Sequence, residues 1–211
     1  MFIPRHPVVE NQFCSYAENT SFGTAGVGGV IAYAGAVVFL DPDSTNQEPM
    51  VKKVYYNYGE SPFGLLEQKV KTGYHQVHPA GFMMPGDLGS SDAIAQPYYN
   101  ANGDIAGHKS VPVGVAHLGI WDTVHYTCKQ DGAAGTVDTG FHMKPGMSLY
   151  PANEHAKLTN STTNSDSTAD NQGERCDTTV VAKVLKGASV AKCEANIGNT
   201  TLYPIRVKLL I

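Results

Sequence analysis

Residues 140–151, GFHMKPGMSLYP, and their sequel, residues 179–187, TVVAKVLKG, decide how this chain is read. In the first piece Pro145-Gly146 sets a turn, because proline fixes φ and glycine tolerates φ above zero. The apolar residues after it alternate through Met147, Leu149 and Pro151, as a half-buried strand does. In the second piece residues 180–186 form a strand closed by Gly187. Between the two, residues 153–177 are polar and too poor in apolar side chains to be core.

The same grammar of short strand, Gly/Pro turn and short strand extends outward. Residues 27–40, VGGVIAYAGAVVFL, read as two strands broken near Gly35 and stopped by Asp41-Pro42-Asp43. Residues 50–58, MVKKVYYNY, are rich in β formers. Residues 63–72 read as a strand, and residues 79–102, full of Gly, Pro and Ser, as a long loop. Residues 111–128 are the longest β stretch, with Gly114 and Gly119 marking bends where a sheet curls into a barrel. Residues 136–150 read as a hairpin arm. Residues 200–211 end the chain as a strand that Pro204 assigns to an edge or a bulge.

The fold class expected is all-β: small β-barrel or sandwich modules with long loops and an extended N-terminal arm. At least one barrel or sandwich is expected from residues 111–150 and 180–211. A faint echo of residues 34–44 in residues 145–155 suggests a similar β unit in each half. The organisation that follows is an arm at 1–22, a first β unit at 23–85 and a second, barrel-like unit at 86–211, or both units merged into one domain.

Composition narrows the partners. The 211 residues carry a net charge of −4, and 42% are hydrophobic, enough for a packed core. Lys and Arg are scattered and no basic stripe is visible along the sequence, which argues against nucleic acid as the partner. The longest weakly charged run, residues 20–40, is not continuously apolar, so no membrane span is expected. Residues 1–13 lack the apolar centre of a signal peptide, so synthesis in a cytosol is expected. Cys14, Cys128, Cys176 and Cys193 show no CxxC spacing, which predicts buried or free thiols in a reducing compartment. A Cys176–Cys193 bridge, closing a short loop, is expected only under oxidising conditions.

No catalytic, cofactor or metal site is expected. A GxSxG elbow is absent, and in residues 85–91, PGDLGSS, Leu88 stands where a nucleophile would. His75, His78, His117 and His125 lack an HExxH pattern and read as surface or packed histidines. Residues 41–45 and 166–174 are acidic loops that read as solvated turns in preference to calcium sites.

In the succession of a Gly-bearing strand (113–124), a PG-x-x-L-Y step (145–150), KLTN (157–160), V-x-AKVL-x-G (180–187) and a terminal LYPIRVKLL (from Leu202), the C-terminal half resembles small β-barrel decoration and cement proteins on the heads of tailed bacteriophages. The resemblance implies a non-enzymatic virion structural protein, assembled in the host cytoplasm, that binds and stabilises a lattice of major capsid protein. It also implies self-association, a trimer included. The chain is longer than the simplest such modules and has an N-terminal half of its own. That leaves, as an alternative, a carbohydrate- or receptor-binding module of a fibre or tail, with Tyr55, Tyr56, Tyr98 and Tyr99 over sugar faces. The arm is expected to dock on another subunit through Phe2, Ile3, Val8, Val9 and Phe13. Pro4 and Pro7 exclude a continuous helix or a central strand there, and a free arm would expose those side chains.

Overall fold

In the computed structural model, which describes residues 2–4, 11–18, 30–41, 49–53, 61–72, 93–99, 101–103, 105–130, 136–152, 154–163 and 174–211, the chain is mostly β-strand. The elements are β1 (Phe2–Pro4), β2 (Asn11–Glu18), β3 (Val30–Ala32), β4 (Val37–Leu40), β5 (Met50–Lys53), β6 (Gly64–Leu66), β7 (Val70–Thr72), β8 (Ala93–Tyr99), β9 (Ile105–Ala116), β10 (Ile120–Thr123), β11 (Tyr126–Thr127), β12 (Ser148–Pro151), β13 (Leu158–Thr159), β14 (Ala182–Lys186), helix α1 (Val190–Ile197) and β15 (Ile205–Leu209). Among the described residues the strands form two curled sheets. One has eight strands in the order β2-β5-β4-β6-β9-β8-β7-β3, and the other has seven in the order β1-β10-β15-β14-β12-β13-β11. Strand β2 also pairs with β9, so the pairings β2–β5–β4–β6–β9–β2 make a closed circuit.

The two sheets share a wall. On β4, Val37 and Phe39 pack into one hydrophobic cluster with Trp121, Leu149, Val184 and Val207 of the seven-stranded sheet. Val38, between them, packs into a second cluster with Tyr16, Val51, Leu66 and Val115. Leu65 and Ala116 face the first cluster, whereas their neighbours Leu66 and Val115 face the second. Period-2 alternation thus supplies two cores from one wall, and each fully buried aliphatic side chain contributes about 1.5–3 kcal/mol.

The expected break near Gly35 falls between β3 and β4, with Gly35 at φ +90° in a turn closed by the Ala36 N–H on the Tyr33 carbonyl at 3.0 Å. The Gly119 bend also holds: it sits at φ +113° between β9 and β10. Residues 111–150 and 180–211 supply β10, β11, β12, β14 and β15 of the seven-stranded sheet, which also takes in β1 from the N-terminus, and the chain crosses between sheets from Ala116 to Ile120.

Three expectations need correction. Residues 93–99, placed in a loop, form β8; Pro97 is tolerated next to the register shift at Tyr98/Tyr99, where the ladder is already interrupted. Strand β15 is not an edge but lies between β10 and β14, because Pro204 stands just outside it and removes no ladder donor; its pairing with β14 does carry a bulge, between Val184 and Lys186. The N-terminal segment does not stand off its own domain. Strand β1 pairs with β10, and β2 pairs with both β5 and β9. Pro4 is compatible with this because β1 is an edge strand, and β2 contains no proline.

Helix α1 has no counterpart in the sequence reading. Eight residues are too few for a helix to persist alone. It is held by packing and by the Asn196 Nδ2 group, which donates to the carbonyls of Val124 and Tyr126, each at 3.1 Å.

Candidate interaction surface

The outer face of the seven-stranded sheet gathers cations that lie far apart in sequence. On β15, Ile205, Val207 and Leu209 are buried, so Arg206 and Lys208 point outward. On β14, Ala182 and Val184 are buried and Lys183 is exposed. The register sets Lys183 directly opposite Lys208. A bulge between Val184 and Lys186 then advances β14 by one residue. Without it Lys186 would fall opposite the buried Ile205; with it Lys186 lies exposed opposite Arg206. Leu185, the extra residue, is left 43% exposed.

One carboxylate enters this face. Asp122 on β10 accepts two hydrogen bonds from Arg206, from Nε at 2.8 Å and from Nη2 at 3.2 Å. The pair holds the Arg206 guanidinium above its ordinary pKa, through the hydrogen bond first and the charge second. Among the described residues no carboxylate pairs with Lys183, Lys186 or Lys208. Like charges directly opposite on neighbouring strands repel, so the Lys183/Lys208 pair weakens the sheet it sits on. Beyond β14 the face continues to Ser148 and Tyr150 on β12, where the Arg175 guanidinium lies 5.0 Å over the Tyr150 ring. Exposed Leu118 and Leu210 flank one end, each next in sequence to a partner of the hydrogen bond that the Leu209 N–H donates to the Gly119 carbonyl at 3.0 Å. Cations and exposed leucines therefore adjoin in a chain whose net charge is −4.

The sequence reading found no basic stripe, and the structure corrects this. The stripe forms across β14 and β15, between VAKVLK and IRVKL, which pair through the fold. The signal available was the pair of basic residues set among apolar ones in each segment, Lys183 and Lys186 in one and Arg206 and Lys208 in the other. The residues expected to bind a partner are not brought together on this face. Phe2 is buried and stacks on Trp121, ring centroids 4.3 Å apart and planes 1° from parallel, inside the chain's own core. Ile3 and Phe13 lie on β1 and β2, with backbone partners Asp122 and Gly114. Val8 and Val9 lie outside the described residues, as do Tyr55, Tyr56, His75, His78 and residues 85–91. Tyr98 and Tyr99 are on β8.

A second cluster lies at the seam between the sheets. His125 is buried; its Nε2 lies 2.9 Å from the His155 carbonyl, and the Tyr33 ring stacks on it at 5.4 Å. Burial lowers the His125 pKa to about 3, against the raising effect of the His155 carbonyl. An uncharged ring with Nε2–H donating to that carbonyl satisfies this geometry. His155 and Ala156 take the left-handed region at φ 52° and 54°, a strained conformation for non-glycine residues. His117 also packs on a ring, edge-on to Phe63 at 4.5 Å, with its Nε2 buried and unpaired.

All four cysteines are reduced. The neighbour of the Cys193 thiol is Cys128, whereas the thiol of Cys176, the partner considered for it under oxidising conditions, donates to the Pro151 carbonyl at 3.4 Å. Among the described residues no three His, Cys, Asp or Glu side chains converge as metal ligands, and no helix is long and apolar enough to cross a membrane. Asp41, in the acidic turn, instead binds Lys52 at 2.7 Å.

Comparison with known proteins finds no family model, no curated protein and no solved structure that matches this chain.

Proposed function

We propose that this chain is a non-enzymatic structural protein of a tailed-phage virion, which decorates or cements the capsid by docking the outer face of its seven-stranded sheet onto an acidic surface of the major capsid protein. The observation that carries the reading is the Lys183/Lys208 pair, opposed across two strands with no carboxylate paired to either among the described residues. A carboxylate supplied by a partner relieves that repulsion and adds attraction, so the charges favour the docked state twice over. The exposed Leu118, Leu185 and Leu210 add apolar area at the same place. The eight-stranded sheet, with its closed circuit of pairings, acts in this reading as a small barrel that stiffens the docking sheet from behind. Copies associate with one another, in threes at threefold positions of the lattice, and repetition multiplies a modest contact. Assembly takes place in the host cytoplasm, with no cofactor.

Copy number tests the reading. Quantitative mass spectrometry of purified particles should find hundreds of copies per virion. A few to a few dozen copies would favour the fibre or tail receptor-binding module instead, and absence from the particle would end both readings.

A further inference from the structure

Two thiols meet under helix α1. Cys128, which follows β11, and Cys193, within α1, are both fully buried in the cluster that forms the core of the seven-stranded sheet. The two thiols are neighbours, each the leading influence on the other's ionisation, and α1 packs on β11. The approach is fixed from several sides. Asn196, one helical turn beyond Cys193, clamps α1 to the carbonyls of Val124 and Tyr126. Cys193 Sγ also lies 3.7 Å from the Ala188 carbonyl, and the Ala188 N–H donates to the Met143 carbonyl at 2.9 Å. The other two cysteines are elsewhere: Cys14 is in the second core cluster, and Cys176 is bonded to Pro151.

We infer that Cys128 and Cys193 are a latent intrachain disulfide, a covalent modification site that closes on oxidation by a peroxide and staples α1 to the strand beneath it. Cys128 beside it holds the Cys193 thiol below its ordinary pKa. Cys193 is therefore the nucleophile. Its sulfur attacks one oxygen of hydrogen peroxide, the O–O bond breaks, and water leaves a sulfenic acid at Cys193. Cys128 sulfur then attacks Cys193 sulfur, the S–O bond breaks, and a second water departs. The two thiols lose two hydrogens, and the peroxide gains them as it becomes two waters. A reducing cytosol keeps the pair open and an oxidising exterior closes it. The closed loop takes in β12, β13 and β14, so it restrains much of the seven-stranded sheet in the unfolded chain.

Native protein treated with hydrogen peroxide should lose two hydrogens in intact mass and yield one crosslinked peptide joining Cys128 to Cys193. Its melting midpoint should rise by about 10 °C and fall back on adding dithiothreitol. Cys128→Ser and Cys193→Ser should each abolish both effects, whereas Cys176→Ser should leave them intact. Four alkylatable thiols after peroxide treatment, or a bridge joining any other pair, would overturn the inference. If the serine variants fail to fold, the peptide map of the unsubstituted protein decides alone.

Discussion

Strand β4 reads VVFL and buries Val37, Val38 and Phe39, sending alternate side chains to opposite faces of the eight-stranded sheet. Strand β15 reads IRVKL and buries only Ile205, Val207 and Leu209, leaving its cations outside. Both strands are central in their sheets. What differs is what lies on the second face: another core in one case, open surface in the other. A continuous apolar run marks a wall covered on both sides, and a strict alternation marks a sheet with one face free. The first sheet is stabilised by being shared; the second retains a face for something else.

The largest effect is expected where the seven-stranded sheet touches its own backbone. A Cβ on Gly187 would collide with the Met143 carbonyl, which belongs to the main chain and cannot swing aside. Gly187→Ala should cost more than about 3 kcal/mol in urea unfolding. The shared wall comes next. Leu65→Ala opens a cavity between β4 and the first cluster and should cost about 2–5 kcal/mol, against less than about 0.5 kcal/mol for exposed Leu185→Ala. Equal costs at these two positions would erase the distinction between wall and free face.

The seam should respond to acid. His125 is neutral when folded, with its pKa lowered to about 3 by burial, whereas the unfolded chain takes up a proton near the model-compound value of 6.5. The stabilisation is fully present above pH 6.5 and is lost as pH falls from 6.5 towards 3, because only the unfolded state binds the proton there. About 2 kcal/mol should go by pH 5. His125→Gln should flatten that slope, whatever it costs at neutral pH; an unchanged slope would show that the seam does not hold the ring neutral.

The smallest effect has the opposite sign. Lys183→Glu replaces a cross-strand repulsion with an attraction to Lys208 and should raise stability by a few tenths of a kcal/mol. A loss of stability would mean that the opposed lysines are not in conflict.

Much of the fold was legible because it rests on local chemistry. Gly35 and Gly119 broke strands where positive φ was needed, and the alternation through Met147, Leu149 and Pro151 marked the half-buried strand β12. What was not legible depends on partners distant in sequence. Nothing local shows that residues 93–99 are enclosed by β7 and β9, or that Phe2 meets Trp121. Helix α1 escaped notice because its eight residues are stabilised by the Asn196 clamp more than by their own propensity. The basic face was hidden for the same reason, since Lys183 and Lys208 become neighbours only through the β14–β15 register and Lys186 joins them only through a bulge.

The docking claim is tested most directly by measuring the retention of Lys183→Glu on purified particles across a salt series, beside its melting midpoint. The account predicts roughly tenfold or greater loss of retention at low salt, with a midpoint equal to or above that of the unsubstituted protein. Retention equal to that of the unsubstituted protein at every salt concentration, with the fold intact, would contradict it.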